Sequence, residues 1–421
     1  MAWDENAPVS QIAAANTSES LPRPALSRWQ RWQRLTRSEW AVALLVLLFY
    51  GLFLVRFLAS GGDPRDFIVI GSQFIHRPGP SAVIKPDPGY HYSLNGYDGQ
   101  FDYYIALDPV NARFYIDVPA YRYTRILYPI TARVLALGQP GLIPYTLIAL
   151  NWLAVGGGTL ALAAWLRRKG RSPWFALVYG FYPGLYISLQ RDLNEPMAYA
   201  LVALAIYLFD FGGRRRLLWA GISFALAALA RETAALFAII YGAGILLASA
   251  EGAGWWARLA ANWRRAVLWL GLALGPLALY KGFLLLWLKS AGLPPDLSPE
   301  LVPFRGILSL WPWQTNQIAA AICIILPALI CAGMGVFALW KRAWGVEIWA
   351  LLLNIQLFVV MLAPPPYIEI FGSERVTIGV VLAACCCLPT FDHLTGRRRW
   401  WLWSSSLLWQ ALIPVLVILT S

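Results

Sequence analysis

Long apolar segments alternate with short polar ones along most of the chain, after a polar start over residues 1–38. An α-helix needs about 20 apolar residues to cross a bilayer, and somewhat fewer where the bilayer thins. The pattern therefore predicts an all-α polytopic membrane protein with about eleven transmembrane helices. They lie near Glu39–Ala59, Leu142–Leu166, Pro173–Gln190, Pro196–Phe211, Leu217–Ala230, Thr233–Ala248, Ala266–Leu288, Gln317–Trp340, Val346–Ala363, Val376–Leu388 and Trp400–Thr420.

Basic residues cluster in the short segments between these spans. With a cytoplasmic N-terminus, the eleven-span topology places every cluster on the cytoplasmic side, as the positive-inside rule requires. The clusters are Arg28–Arg37, Arg167–Arg171, Arg214–Arg216, Arg258–Arg265, Lys341–Arg342 and Arg397–Arg399. We therefore expect a multi-pass inner (plasma) membrane protein, with residues 1–38 forming a disordered tail that leads into a basic interfacial helix.

This topology requires that Tyr121–Leu137 does not cross the membrane. The segment carries three Arg residues with apolar residues between them, which predicts an amphipathic juxtamembrane helix. It would belong to a long first outer loop over residues 60–141, within a membrane domain over residues 39–421.

Composition supports a membrane protein and argues against a nucleic-acid partner. Hydrophobic residues make up 59% of the 421 positions and charged residues only 13%, so much of the surface must face lipid. The net charge of +12 follows from the clusters between spans and not from one basic face. All five Cys lie in apolar stretches, where Cys acts as a small hydrophobic residue.

Acidic residues collect on the predicted outer side, and three outer turns place a guanidinium beside a carboxylate. These turns are Arg191-Asp192, Arg231-Glu232 and Glu374-Arg375. Since each lies next to a predicted span end, we expect them to share one polar cavity.

The most informative segment is Gly96–Tyr104 in the first outer loop. Asp98 and Asp102 are four residues apart, so both project from one face if the segment is helical. The surrounding aromatic residues would desolvate Asp98 and raise its basicity, which suits a general base. Alternatively, this is an aromatic interfacial loop with solvated acids. Two carboxylates also suit a hard cation, so a divalent metal stays open, although we assign no metal site and no cofactor.

Five outer Arg residues are suited to holding a phosphate, because the guanidinium group binds it bidentately. They are Arg125, Arg191, Arg231, Arg305 and Arg375. For any one of them an ion pair within the protein is an equal alternative. Glu195 precedes Pro196 at a predicted helix start, where a carboxylate is favourable and where capping alone would explain it.

The chain resembles the GT-C superfamily of integral-membrane glycosyltransferases over about its first 250 residues. The run YDGQFDYYIALDP from Tyr97 is similar to a motif of mannosyltransferases of the glycosylphosphatidylinositol pathway and their bacterial relatives. FYPGLYISLQRDLNEP from Phe181 and ALARET from Ala228 resemble two further stretches of that family. The sequence departs from the family in having Tyr97 where Trp is usual, and Glu232 where Pro follows the Arg.

The resemblance implies an inverting transfer of a monosaccharide from a polyprenyl-phosphate donor on the outer (periplasmic) face. Asp98 would be the general base with Asp102 beside it, and the five Arg residues would bind the donor phosphate. The residues implied to contact sugar or to support the site are Tyr97, Gln100, Tyr103, Asp192, Glu195 and Glu232. The acceptor is a glycan, a lipid or a protein, and membrane lipids surround the chain.

Two other functions are compatible with the sequence. A transporter or flippase of a lipid or polar solute would also carry charges among its spans, usually near mid-depth and in repeated halves. A non-catalytic lipid-binding scaffold is the third reading. No nucleotide-binding, hydrolase or zinc-protease motif is present to support a pump or a hydrolase.

Overall fold

The computed structural model describes residues 37–80, 87, 89–248, 254–290, 298–396 and 399–411. The predicted tail over residues 1–38 therefore lies outside the described residues, apart from its last two positions. The described residues form helices and turns, with one isolated β-bridge between Gly71 and Ser93. The prediction of an all-α protein is confirmed.

Fourteen helices of seven residues or more organise the described part of the chain. They are α1 (Arg37–Ala59), α2 (Gly99–Leu107), α3 (Leu127–Leu135), α4 (Ile143–Arg168), α5 (Pro183–Gln190), α6 (Glu195–Phe211), α7 (Arg216–Ala230), α8 (Ala235–Leu246), α9 (Trp255–Leu288), α10 (Leu326–Trp340), α11 (Val346–Ile355), α12 (Ile370–Val376), α13 (Ile378–Leu394) and α14 (Trp400–Gln410).

Four of the described helices are long and apolar enough to cross a membrane. They are α1, Pro140–Arg168 including α4, Trp256–Leu288 within α9, and Thr315–Trp340, which ends in α10. Two bent pairs, α6 with α7 at 114° and α12 with α13 at 43°, raise the number to six if each pair is one span. The predicted span Trp400–Thr420 lies partly outside the described residues, and the remaining predicted spans correspond to shorter or broken helices in the described part of the chain, so eleven spans stay a prediction.

Helices α1 and α9 expose large apolar side chains along most of their length. Leu52 of α1 is 69% exposed, and Leu279 and Leu286 of α9 are 79% and 81% exposed. Contiguous apolar surface of this extent is unfavourable in water. These two helices therefore have the surface of membrane helices, whereas α4 and α6 lie in the packed core.

The predicted outer loop over residues 60–141 folds on its own hydrophobic cluster, which includes Phe74, Tyr104 and Tyr128. The segment predicted to lie along the membrane is divided into a short helix Pro119–Arg122, one tight turn and the nine-residue α3. Each piece is too short to cross a bilayer. This compact region packs against the start of α4 and carries α2.

Ion pairs join the same ends of four core helices. Arg167 at the end of α4 meets Glu39 at the start of α1 at 3.5 Å, and Lys169 meets Asp210 at the end of α6 at 2.8 Å. Arg171 meets the buried Asp392 near the end of α13 at 3.0 Å. The opposite ends of these helices lie near the loop over residues 60–141 and the start of α6. The basic residues Arg167, Lys169 and Arg171 are therefore at one end of the helices, and the candidate site is at the other.

Glycine permits the closest backbone contact at that second end. A Cβ on Gly99, the first residue of α2, would overlap the carbonyl oxygen of Arg191 and lie 3.1 Å from that of Asp192. Only a residue without a side chain allows α2 to pack directly on the turn between α5 and α6. This contact sets the position of Asp98 and Asp102 relative to α6.

We expect Gly99→Ala to destabilise the protein by about 1–3 kcal/mol, because the added methyl group forces α2 away from this turn. Gly157→Ala is the matched control, since Gly157 lies in α4 with no atom close to its Cβ position and is exposed. The control should be neutral or slightly stabilising. Thermal unfolding in detergent measures both, and equal stabilities of the two variants would contradict the packing argument.

Candidate active site

Helix α2 presents the two predicted carboxylates to one cavity. Asp98 immediately precedes the helix and has helical backbone angles, and Asp102 lies in its first turn. The expectation that both acids share a helix face is confirmed, because both line the same cavity. Helix α2 is anchored by the buried Phe101, Tyr104 and Ile105.

Four guanidinium groups surround these acids, and we name the space the arginine cavity. Its walls are Asp98, Phe101, Asp102, Arg122, Arg125, Leu193, Asn194, Glu195, Arg231 and Arg375. The free space between them is about 10 Å³, which is room for about one water molecule. Any larger ligand must therefore displace a side chain.

Asp98 is bound by two guanidinium groups. Arg122 Nη1 lies 3.0 Å from Oδ1, and Arg375 Nη2 donates a short hydrogen bond to Oδ2. The Asp98 side chain is still 24% exposed, so a ligand can approach it. Two further donors of Arg375, Nε and Nη1, are buried and make no hydrogen bond among the described residues, although Nε lies 3.9 Å from Glu195 Oε1.

The prediction that aromatic neighbours raise the basicity of Asp98 is wrong for this structure. Burial does oppose ionisation, but the charges of Arg122, Arg375 and Arg125 outweigh it and hold the pKa of Asp98 well below its usual range. With these guanidinium groups in place, Asp98 is a permanent anion and a weak base.

Asp102 has the opposite electrostatic environment. It is 5% exposed, and burial raises the pKa of Asp102 to about 7 although Arg125 and a hydrogen bond from Asn194 oppose the shift. Asn194 Nδ2 donates to Asp102 Oδ2 at 3.1 Å, and Arg231 Nη1 donates to Asn194 Oδ1 at 3.1 Å. The amide thus links the acid to Arg231, which also lies 2.7 Å from Glu195 Oε1.

Arg125 and Glu232 form a buried bidentate pair. Arg125 Nε and Nη2 donate to the two carboxylate oxygens at 3.1 Å and 2.9 Å, and Nη2 also contacts the Tyr121 hydroxyl. Burial opposes ionisation, but the charge and hydrogen bonds of Arg125 hold the pKa of Glu232 at about 2. This pair fixes Arg125 beside the cavity.

The prediction that three Arg–acid turns share one cavity is confirmed for Arg231 and Arg375 and wrong for Arg191, and the adjacent residues of each turn do not pair with each other. Arg231 pairs with Glu195, and Arg375 pairs with Asp98. Arg231 and Arg375 line the arginine cavity, whereas Arg191 lines a neighbouring one.

That neighbouring space, which we name the tyrosine cavity, has a volume of about 300 Å³. Its walls are Val69, Tyr97, Arg191, Asn316, Glu369, Ile370 and Phe371. The guanidinium carbons of Arg191 and Arg375 lie 5.6 Å and 5.3 Å from the centre of the Tyr97 ring. Tyr97 thus connects the tyrosine cavity to the guanidinium group that holds Asp98.

Five predicted site residues line neither cavity: Gln100, Tyr103 and Arg305, together with Glu232, which pairs with Arg125, and Asp192, which is buried in the turn beside Gly99. Gln100 is bound to the loop, since its Oε1 accepts from the Gly71 amide at 2.9 Å and its Nε2 donates to the Asn95 carbonyl at 3.1 Å. Tyr103 packs beside the ring of Tyr104. Arg305 is exposed and lies 3.8 Å from Glu300. Gln100 therefore supports the site from behind, and the structure does not bring Tyr103 or Arg305 to it.

Asp192 is buried in the turn that packs on Gly99. Its φ of 47° is in the left-handed region, and neither carboxylate oxygen has a hydrogen-bond partner among the described residues. Burial, and then the charge of Asp102, raise the pKa of Asp192 well above its usual range. Asp192 therefore lies behind the cavity in a strained backbone conformation and an environment that disfavours its charge, and strain of this kind is concentrated at functional sites.

Arg122 and Asn194 are the functional side chains that the sequence analysis missed. Arg122 stacks on Phe101 at 4.4 Å and holds Asp98. It precedes the predicted Arg125 by three residues, a spacing that places two side chains on one helical face and could have identified it. Asn194 had no comparable signal, because its role depends on two partners distant in sequence.

Among the described residues, no group of three His, Cys, Asp or Glu side chains is placed to hold a metal ion. The positions beside Asp98 that a cation would take are filled by Arg122 and Arg375. The charge there is already positive, and the residues present fit an anionic ligand better than a metal.

Comparison with protein-family models, curated proteins and solved structures gives no match. The site therefore has to be interpreted from its own chemistry.

The raised pKa of Asp102 predicts a pH dependence of stability. Because its pKa is higher in the folded than in the unfolded chain, the protonated acid stabilises the fold, and this stability is lost as pH rises from about 4 to about 7. The loss is at most about 4 kcal/mol. We expect Asp102→Asn to reduce the slope of the stability profile over this window without abolishing it, because the raised pKa of Asp192 acts in the same direction. Thermal unfolding at a series of pH values measures the slope.

Asp98→Asn is the control for this experiment. The lowered pKa of Asp98 means that its stabilising charge is lost only as the pH falls below about 4, so this variant should keep the slope between pH 4 and 7. An unchanged slope in Asp102→Asn would show that another group takes up the proton.

Proposed function

We propose that this chain is a GT-C type membrane glycosyltransferase that moves a monosaccharide from a polyprenyl-phosphate donor to an acceptor hydroxyl with inversion. The observation that carries the proposal is the approachable Asp98 carboxylate held by Arg375, a guanidinium with two unused buried donors. A carboxylate next to unused guanidinium donors suits a reaction in which a hydroxyl loses a proton and a phosphate leaves as an anion.

The phosphate of the donor would be bound first by Arg375. Its Nε and Nη1 make no hydrogen bond in the described part of the chain and lie on different edges of the guanidinium group, so either can donate to a phosphate oxygen while Nη2 faces Asp98. Arg122, Arg125 and Arg231 line the same cavity and add to the positive potential there. In the transition state negative charge grows on the phosphate oxygen of the breaking bond, and fixed donors aimed at that oxygen lower the barrier.

The acceptor proton would go to Asp98. As the acceptor oxygen forms its bond to the anomeric carbon, its proton passes to the carboxylate, and the bond between that carbon and the phosphate oxygen breaks on the opposite side. Donor binding would also activate the base, because a phosphate that draws Arg375 and Arg122 toward itself removes the charges that keep the pKa of Asp98 low.

The remaining predicted residues would support this arrangement. Asp102 would exchange its proton near neutral pH, and Glu195 and Glu232 would hold Arg231 and Arg125 in place. Asp192 and Gln100 would fix α2 from behind. The eleven-span topology, with the site on the outer face of the plasma membrane and the polyprenyl tail between spans, is part of this proposal.

The proposal predicts that Asp98→Asn lowers the transfer rate by about 10²–10⁴-fold, which is the usual contribution of a general base. The assay uses the purified chain, a panel of labelled polyprenyl-phosphate monosaccharides and delipidated envelope material as acceptor. Loss of donor label and its appearance in the acceptor are measured together.

Asp117→Asn is the matched control. Asp117 binds Arg122 at 2.7 Å, and Asp98 binds the same guanidinium group, but Asp117 does not line the arginine cavity. Its substitution should therefore leave the transfer rate within a few-fold of the wild-type rate. Transfer by Asp98→Asn at the rate of the Asp117 variant would remove the base assignment. Movement of the intact donor from one leaflet of a vesicle membrane to the other, with no transfer of its sugar, would instead favour a flippase.

A further inference from the structure

The tyrosine cavity differs from the arginine cavity in size and in charge. Its volume of about 300 Å³ lies at the lower limit of small-molecule sites, which span about 300–1,000 Å³. It holds one cation, Arg191, and one anion, Glu369, so the two lining charges cancel. A cavity of this size, with no net charge on its lining residues, favours a neutral ligand over a phosphate.

The polar groups of this cavity are planar and able to form paired hydrogen bonds. Glu369 is exposed and can accept from two neighbouring hydroxyl groups, and the guanidinium of Arg191 can donate. Arg191 Nε is buried without a hydrogen-bond partner among the described residues. Asn316 donates to the Ile368 carbonyl at 3.1 Å, which fixes its amide with the oxygen still able to accept.

Aromatic and apolar side chains complete the walls. Tyr97 and Phe371 offer rings on which the C–H face of a sugar can pack, and Val69 and Ile370 add apolar surface. A monosaccharide has an apolar C–H face and a rim of hydroxyl groups. The aromatic rings suit the C–H face, and the carboxylate, amide and guanidinium groups suit the hydroxyl groups. An alkyl chain would leave these polar groups unpaired, at a cost in affinity.

The cavity also lies where an acceptor is needed. Tyr97 precedes Asp98 in the chain, and the Arg375 guanidinium lies against the Tyr97 ring while it binds Asp98. A ligand on Tyr97 therefore lies beside the group that holds the proposed base. The arginine cavity, with four guanidinium groups, remains for the donor phosphate.

We propose that the tyrosine cavity binds a neutral monosaccharide unit of the acceptor, so that the acceptor is a glycan and not a lipid or a protein side chain. The assignment of this ligand as acceptor rests on the proposed function. Arg191 then binds acceptor hydroxyl groups, in place of the donor phosphate expected from the sequence.

The test is saturation-transfer NMR on the full detergent-purified chain without donor. The probes are methyl glycosides of mannose, glucose, galactose and arabinofuranose, with inorganic phosphate as competitor. We expect one glycoside to bind selectively, phosphate not to displace it, and Glu369→Gln to weaken it about tenfold or more, since a hydrogen bond to a charged group is lost.

Glu300→Gln is the matched control, because Glu300 is an acid near Arg305 that lines neither cavity. Tyr97→Phe keeps the ring and should retain binding, which separates ring packing from folding defects. The proposal is overturned if no glycoside binds, if Glu369→Gln binds like Glu300→Gln, or if phosphate displaces the glycoside in wild type.

The outcome is independent of the transfer assay. Transfer without glycoside binding would preserve the proposed function and refute the glycan acceptor. Selective glycoside binding without any transfer would preserve the sugar site and refute the glycosyltransferase.

Discussion

The ion pair between Asp98 and Arg375 is the constraint on which the candidate site depends. It joins residues 277 positions apart, one in the loop after α1 and the other just before α13. Arg122 completes the contact from the same loop. Because both side chains are largely shielded from water, removing either charge would leave the other less well compensated, although Arg122 would still hold Asp98. The pair therefore ties the loop region to the helical core and also sets the charge state of the proposed base.

Each guanidinium group that lines the arginine cavity has a carboxylate partner. Even so, not every hydrogen-bond donor in the cavity has an acceptor. Arg125 pairs with Glu232 and Arg231 with Glu195, so neither cation is buried without a carboxylate beside it. Arg375 alone among the four cavity arginines keeps two buried donors unfilled in the described part of the chain. A preorganised cation with unused donors is suited to an anion that arrives with the substrate.

Several parts of this arrangement could be predicted from the sequence. The spacing of Asp98 and Asp102 predicted a shared helix face, which is confirmed. Three Arg–acid turns predicted a common cavity, and this is confirmed for Arg231 and Arg375 but not for Arg191, which lines the tyrosine cavity. The pKa values of the two acids could not be predicted, because they depend on which guanidinium crosses from another helix. The same reason explains why Arg305 was included, because its surroundings are set by tertiary contacts. Arg122 was overlooked although its spacing from Arg125 could have identified it.

The number of spans illustrates a second limit. Apolar composition identifies segments such as α1 and α9, which are long and expose apolar side chains. It does not distinguish a full span from a short buried helix beside a break, as in α6 and α7, whose axes differ by 114°. Buried short helices are as apolar as membrane helices, so hydropathy alone treats both in the same way.

The central claim is that Arg375 is held ready for a lipid phosphate, and a binding measurement tests it most directly. The melting temperature of the detergent-purified chain is measured with polyprenyl phosphate and with a non-isoprenoid lipid phosphate, for wild type and for Arg375→Gln. A ligand that binds only the folded state raises the melting temperature by mass action. The account predicts a selective rise with polyprenyl phosphate in wild type that is absent in Arg375→Gln. An equal rise in both proteins, or no selective rise in wild type, would contradict it.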